Sequence, residues 1–327
     1  MTAISEILRQ NPIVTAPMAG ITDRAFREIL HEQHPALVYT EMLSDMALCY
    51  GSEKTFAMLN LAGEPGRLAV QLCGSQPEFM GRAAAIVQQK AEEYGNIVLL
   101  DINMGCPAPK IVKNGEGSRL MTDPELAARV VDAVVKSVRL PVSVKMRLGW
   151  DSDNINVLQL ARRVVEAGAQ LVTVHGRTRQ QFYSGEADWQ PVTEVARELA
   201  LIGVPVIGNG DINSVAVARR RKEESGCSGL MVGRAMMGNP WLIRDLVRDF
   251  AGKPALPSPG RQEILQMALS HLYREVELRD EYTAVRLMRT HLPFYVRGMP
   301  GAAALRGRIN QLNSAAEVER ELSEFMH

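Results

Sequence analysis

Long apolar runs are missing from this 327-residue sequence. Their absence excludes a helical membrane span, which needs roughly 18 consecutive apolar residues. A secretory leader is missing too. MTAISEILRQNP has neither a basic start nor an apolar core, so a cytoplasmic protein is expected. Aromatic residues are scarce at 5%, but hydrophobic residues reach 46%, which excludes a disordered chain and implies a packed interior. Cysteine is rare. Cys49, Cys73, Cys106 and Cys227 form no CxxC pair and no regular spacing, so neither a disulfide framework nor a metal site is expected. Neither sign of charge is in excess: Lys plus Arg number 37, and Asp plus Glu number 37. Net charge therefore points to no polyanionic partner, and any such surface must be local.

What is present is a regular alternation. Short β-branched runs begin at Pro12, Ala36, Arg67, Asn96, Pro141, Gln170, Val204 and Ser228, between 24 and 45 residues apart. That spacing is the length of one βα unit, and eight units close a (β/α)8 TIM barrel. A doubly wound open sheet alternates in the same way but rarely reaches this count. The intervening segments fit helices. Pro77 to Tyr94 has apolar residues at helical spacing, and Asp123-Pro124-Glu125 is a capped helix start. The barrel is expected to occupy residues 1–250. AGKPALPSPG (251–260) reads as a linker, and 261–327 as a small all-helical domain with helices in Ile264–Leu278, Val285–Tyr295 and Val318–Phe325.

Barrel enzymes carry their chemistry at the C-terminal ends of the strands. Here those ends are polar on otherwise apolar runs: Gln71, Asp101 with Asn103, Lys145 with Arg147, His175, Asn209 with Asp211, and Arg234. Residues two apart share a strand face, so each pair can point the same way. IGNGD and VGRA follow the seventh and eighth strands, where barrels bind phosphate through glycine-rich turns. The glycines Gly210 and Gly233 and the fork of Arg234 suit a phosphorylated ligand.

Lys145 stands inside an apolar strand, where an unpaired ammonium is costly. It suits either the negative charge of a reduced flavin or the imine of an aldolase. Gln71 offers donor and acceptors together, which suits the edge of a flavin or a pyrimidine. Cys106 lies in DINMGCPAPKIVKNGEGSRLM, a stretch of about 20 residues before the next helix that reads as a functional loop, often a lid. At an ordinary pKa of about 8.5 its thiol stays protonated at neutral pH and can act as an acid.

With APMAGITDRAFR, QLCGS, DINMGCPAPKIVKNGEGS, VKMRLGW, VHGRTRQQFYSGEADW, PVIGNGDI and MVGRAMMGNPW in this order, the chain resembles the tRNA-dihydrouridine synthases, and among them the bacterial B-type branch. The resemblance implies an FMN-dependent barrel with a C-terminal helical bundle. It implies reduction of the C5–C6 bond of tRNA uridines, with NADPH or NADH as electron donor. Carried over by motif, Ala16, Pro17 and Met18 would line the flavin, and Gln71 and Lys145 would bond its ring. His175 would lie beside it. Asn209, Gly210, Asp211, Gly233 and Arg234 would hold the phosphate end. Cys106 would be the proton donor, Asn103 would contact the uracil, and Arg177 would hold the extruded nucleotide or the flavin phosphate.

An RNA platform has a candidate in the helical domain. Tyr282 to Asn310 contains no acidic residue but has Arg286, Arg289, Arg297, Arg306, Arg308 and His291, with Phe294 and Tyr295 interleaved. Arg286 and Arg289 share a helix face, arginine forks suit phosphates, and flat rings stack on bases. Three rivals share parts of the pattern: a flavin barrel acting on a free pyrimidine, of the dihydroorotate-dehydrogenase kind; an aldolase using Lys145; and a tRNA-binding barrel without catalysis. A catalytic unit this complete is expected to work as a monomer.

Overall fold

The computed structural model describes residues 3–326. Eight parallel strands form one sheet in the order β1-β8-β7-β6-β5-β4-β3-β2. They are β1 (Ile13–Thr15), β2 (Val38–Ser44), β3 (Leu68–Cys73), β4 (Ile97–Met104), β5 (Val142–Arg147), β6 (Leu171–His175), β7 (Val206–Asn209) and β8 (Gly229–Val232). Each covers one of the eight sequence runs. Between β1 and β2 there is no full ladder. A single bridge, Val14 to Leu37, closes the barrel there, with Thr15 N–H donating to Leu37 O at 3.1 Å and Ala36 N–H to Ile13 O at 2.8 Å. The expected TIM barrel is what forms, and among the described residues no helix is long and apolar enough to cross a membrane.

The interior changes character along the axis. Near the strand starts, Val14, Tyr39, Ala69, Leu99, Leu171, Ile207 and Met231 meet in an apolar cluster. Ile4 and Leu8 of the helix Ala3–Gln10 plug it from below. Stepping two residues along a strand keeps the same face. That step leads from Ala69 to Gln71, from Leu99 to Asp101, from Leu171 to Thr173 and from Ile207 to Asn209. An apolar floor thus gives way to a polar mouth.

Helices form where the sequence caps them. Pro77–Tyr94 starts on a proline and ends at Gly95 in the left-handed region. Pro124–Ser137 is capped by the Asp123 carboxylate, which accepts from Leu126 N–H at 2.9 Å. The stretch around Cys106 is not the long open loop expected. Pro109–Lys113 is a short helix and Gly117–Thr122 a 3-10 turn whose Leu120 and Met121 are buried in the core. Those two apolar side chains pull the segment down and leave only a short free arc after β4.

Beyond the barrel, residues 253–260 form neither helix nor strand. Helices Arg261–Leu278, Glu281–Tyr295, Ala302–Ile309 and Ala315–Met326 then surround a second apolar cluster that includes Leu272, Met288, Leu292, Ile309 and Leu322. Ala302–Ile309 is unannounced in the sequence, because AAALRGRI offers little contrast between its faces.

This bundle is seated firmly on the barrel. Gly238 has φ +67° and lies so close that a Cβ would stand 2.2 Å from the Phe294 carbonyl carbon. Arg274 pairs with Glu32, and His291 Nε2 lies 3.3 Å from Asp23 Oδ2. His291 and Tyr295, expected on a basic and aromatic outer surface, are instead buried at this seam.

Inside the barrel wall Arg27 and Glu64 form a buried bidentate pair, with both N–O distances 2.7 Å, while Arg27 Nη1 donates to Thr22 O at 2.7 Å. Removing one partner strands a charge without water, at a cost of about 3–5 kcal/mol. Glu64→Gln is expected to lower the unfolding free energy by that amount in urea titration. A loss below about 1 kcal/mol would place the pair among ordinary surface contacts.

Candidate active site

A cavity of about 880 Å³ opens at the C-terminal mouth of the barrel. That is the volume of a site for a large cofactor or a nucleotide. Its walls bring together the residues expected from strand ends. Ala16, Pro17 and Met18 line one side, and Gln71, Asn103 and Cys106 another. Lys145 and His175 stand between them, and Asn209, Gly210, Asp211, Gly233 and Arg234 close the rim after β7 and β8.

Parity explains the convergence. Gln71, Asn103, Lys145 and His175 continue the inward faces of β3, β4, β5 and β6. Register sets Gln71 beside Asp101, Asn103 beside Lys145, and Arg147 beside His175. A hydrogen-bond chain links the first three of these strands. Ser143 Oγ donates to Asp101 Oδ1 at 2.5 Å, and Gln71 Nε2 donates to Asp101 Oδ2 at 2.7 Å. Asn103 Nδ2 then donates to Gln71 Oε1 at 2.7 Å. Asn103 Oδ1 accepts from the backbone N–H of Gly105 at 3.1 Å and of Cys106 at 2.9 Å. Asn103 thereby fixes the turn that presents Cys106.

Arg147 holds the same turn from the other side. Its Nε donates to Gly105 O at 2.8 Å, and its Nη1 to Thr178 O at 3.0 Å and Phe182 O at 2.8 Å. One guanidinium so ties the Cys106 turn to the loop after β6. That loop carries Tyr183, over whose ring lie Arg234, 4.6 Å from the centroid, and Arg147, at 5.5 Å.

Protonation follows from burial and charge. Burial pushes the Cys106 thiol above its ordinary value, against the pull of the Ala108 backbone N–H and of Arg147 and Lys145. The thiol therefore stays protonated at neutral pH. Burial, with the charge of Arg147 next, pulls Lys145 down to about 8, while Asp101 opposes the shift. No hydrogen bond from its ammonium contributes among the described residues. Burial and then the surrounding cations hold His175 well below its ordinary value, so it is neutral. Burial raises Asp101 to about 7, against its bonds from Gln71 and Ser143 and the charge of Lys145.

Four cations, Lys145, Arg147, Arg234 and Arg297, face the cavity, with Asp211 the one carboxylate among its lining residues. Asp211 is already committed. It sits at φ +53° and pairs with Arg177 at 2.7 Å and Arg234 at 3.0 Å. Burial alone would raise its carboxyl, but Arg177, the Ala187 N–H and Arg234 outweigh it and the group titrates low. The mouth is therefore electropositive and built for an anion.

The same geometry tests whether a flavin phosphate fits. Gly210, at φ +134°, and Gly233 both line the rim, and a Cβ on Gly233 would project toward Ala16 and Met18 inside the cavity. Backbone without side chains beside an exposed arginine fork suits a phosphate. The partnerless ammonium of Lys145 and the spare N–H of Gln71 suit an electron-rich heterocycle. The residues fit the group.

Three expected site residues lie outside the cavity, two of them, Arg286 and Arg289, on the helical domain where they were expected. Arg177 does not line the cavity. It is buried under the loop after β6, where it donates to Ser184 O at 3.1 Å, Gly185 O at 2.6 Å and Asp211. Arg286 and Arg289 stand on the Glu281–Tyr295 helix outside the cavity. Arg286 is exposed and bonds the Tyr282 hydroxyl at 2.7 Å, whereas Arg289 is bound to Leu312 O at 2.8 Å and to Asn313. Conversely, Met42, Phe182, Tyr183, Phe294 and Arg297 line the cavity without having been singled out for it. The fragment HGRTRQQFYSG already contained the signal for the Phe182–Tyr183 pair.

The family model "Dihydrouridine synthase" matches residues 14–327. A protein named "Probable tRNA-dihydrouridine synthase" from Rickettsia bellii (strain RML369-C) is 37% identical over 326 residues, 99% of this chain and 98% of that one. One of the same name from Rhodobacter capsulatus is 38% identical over 320 residues, 97% of this chain and 95% of its own. "tRNA-dihydrouridine synthase B" from Pseudomonas aeruginosa is 37% identical over 305 residues, 92% of this chain and 89% of its own.

Arg147→Lys keeps a charge but cannot hold three carbonyls in two loops. Each buried carbonyl left unpaired costs about 1–3 kcal/mol. Amide exchange is expected to quicken in both residues 105–120 and 178–184. Unchanged exchange in either segment would contradict the tie.

Proposed function

The chain belongs to the dihydrouridine synthase family, and from that premise we propose that it reduces the C5–C6 double bond of specific uridines in tRNA, using FMN. The carrying observation is the position of the Cys106 thiol on the wall of a cavity whose charged lining is almost wholly cationic, with burial pushing the thiol above its ordinary value. Membership of the family removes the aldolase reading of Lys145 and weighs against the free-pyrimidine and non-catalytic readings. The tRNA-dihydrouridine synthase relatives support RNA as the substrate.

FMN, recharged by NADPH or NADH, would supply a hydride to uracil C6. Gln71 and Lys145 would face its ring, Ala16, Pro17 and Met18 would pack against it, and Asn209, Gly210, Gly233 and Arg234 would hold its phosphate. Asp211 orients Arg234, and Arg177 orients Asp211, so both are positioning residues. Lys145 provides positive charge where negative charge builds, and the low-dielectric interior strengthens that effect. Neutral His175 adds a ring without a competing proton.

Cys106 then supplies the proton. Its Sγ–H is a protonated acid at working pH, and it gives that proton to C5 as the bond order falls. Asn103 fixes the Cys106 backbone, and its own side chain faces the cavity where a uracil edge would lie. Such a base must leave the folded RNA, at a cost of a few kcal/mol. Phosphate contacts outside the mouth can offset that cost. Arg297 at the mouth and exposed Arg286 are placed for them, while Arg289 is largely engaged within the bundle.

Cys106→Ala is expected to reduce tRNA turnover at least about 100-fold, the usual scale for losing a general acid. Flavin reduction by NADPH, followed at its visible absorption band, should be nearly unchanged. Wild-type tRNA turnover in the variant would overturn the acid assignment. Lys145 carries charge below its pKa of about 8 and loses it above. Turnover should therefore decline as pH rises through that value, and Lys145→Arg should move the decline to higher pH. An alkaline limb identical in both enzymes would assign it to another group.

A further inference from the structure

We propose that Asp23, His271 and His291 form a binding site for one divalent transition-metal cation of the zinc class, at the seam between barrel and helical bundle. One donor atom from each residue lies within 4.8 Å of the others. The three residues are 7%, 0% and 3% exposed. Asp23 Oδ2, His271 Nε2 and His291 Nε2 are all buried, and none makes an aligned hydrogen bond among the described residues. A buried polar atom without a partner is costly, and here three from three separate segments converge on one point.

The rest of the cluster supports ligation. Asp23 Oδ2 and His291 Nε2 are 3.3 Å apart, close enough for a direct pair. Ligands around tetrahedral zinc, each about 2.0–2.2 Å from the ion, stand roughly 3.4 Å apart. Two of the remaining polar atoms are already engaged. Asp23 Oδ1 caps the Arg24–His31 helix through Phe26 N–H at 3.0 Å, and His271 Nδ1 meets the Tyr295 hydroxyl at 3.1 Å. A partner on the far ring nitrogen is the usual way to orient a ligating histidine. The Phe26 ring stacks on His271, 5.4 Å away and 16° from parallel, and keeps water off that side.

The donor set points to the class of ion. Glu275 is one turn beyond His271 on Arg261–Leu278, fully buried and paired with Arg279. It stands close enough to Asp23 for the two carboxyl groups to interact. Arg279 supplies one countercharge, 2.5 Å from Glu275. Two nitrogens with one carboxylate oxygen favour zinc over magnesium or calcium, which prefer all-oxygen shells.

The position gives the ion a task. Asp23 follows directly on the segment whose Met18 and Ile21 line the cavity, and His291 lies one turn before Phe294, which lines it too. A bound cation would clasp the barrel wall to the helical wall of the same mouth. Buried this deeply, it would enter as the chain folds. The site stands whatever reaction the mouth performs.

The test is the metal content of the full-length protein purified without chelator, then stripped and reloaded with zinc alone or with cobalt(II) alone. Wild type is expected to hold about one equivalent of zinc, as a structural site does, and cobalt should give tetrahedral d–d absorption beyond the flavin bands. His271→Gln should lose the metal, and His291→Cys, which restores a ligand, should keep it. Chelation should lower Tm in wild type but not in His271→Gln. Wild type that takes up neither ion, or a His271→Gln protein with full metal content, would overturn the site. The first result would mean that Asp23 and Glu275 share a proton. Should His271→Gln not fold, the cobalt spectrum of wild type decides by itself.

Discussion

One buried hydrogen-bond chain, from Ser143 through Asp101 and Gln71 to Asn103, is what the mouth of this barrel depends on. It crosses β5, β4 and β3 and ends on the backbone of the Cys106 turn. Both Asp101 oxygens receive a donor, and both ends of the Gln71 amide are used. A fully satisfied polar network in a low-dielectric interior is rigid, whereas a partly satisfied one destabilises its surroundings. The strands fix this network, and the network fixes the thiol. Arg147 repeats the arrangement from the opposite side, so Cys106 stands between two anchors.

Electrostatics at the mouth act on that fixed frame. Cations on β5, after β8 and in the helical bundle face the same space, so each raises the cost of charging the next. Lys145 is lowered and His175 is neutral for this reason as well as through burial. An anionic ligand relieves that repulsion. The thiol, like Asp101, resists the local field, because its burial outweighs the pull of the nearby cations. An acid that stays protonated among cations can give its proton to developing negative charge.

The barrel was legible because each of its strands is a short β-branched run set off by turn residues, and because strand parity carries an inward face from apolar to polar. Gln71, Asn103, Lys145, His175 and Asn209 could be read on that basis. Other features depend on contacts that no local pattern encodes. Arg177 looks in sequence like Arg234, yet one is buried under a loop and the other is exposed on the rim. His291 and Tyr295 sit in a basic, aromatic stretch, but the bundle turns them toward the barrel. Cys106 was expected in a long open loop, which Leu120 and Met121 fold down against the core. The Asp23, His271 and His291 cluster escapes any spacing rule because its members come from opposite ends of the chain.

The central claim is a reaction on RNA, and it can be read from the product. The purified protein, with its flavin verified by visible absorption, is incubated with NADPH and with tRNA from cells that lack dihydrouridine. The tRNA is then digested to nucleosides and analysed by mass spectrometry. The account predicts that a fraction of the uridines gains two hydrogens, at defined positions in the RNA. Flavin that is bound and reducible, with no such gain in the tRNA, would contradict it.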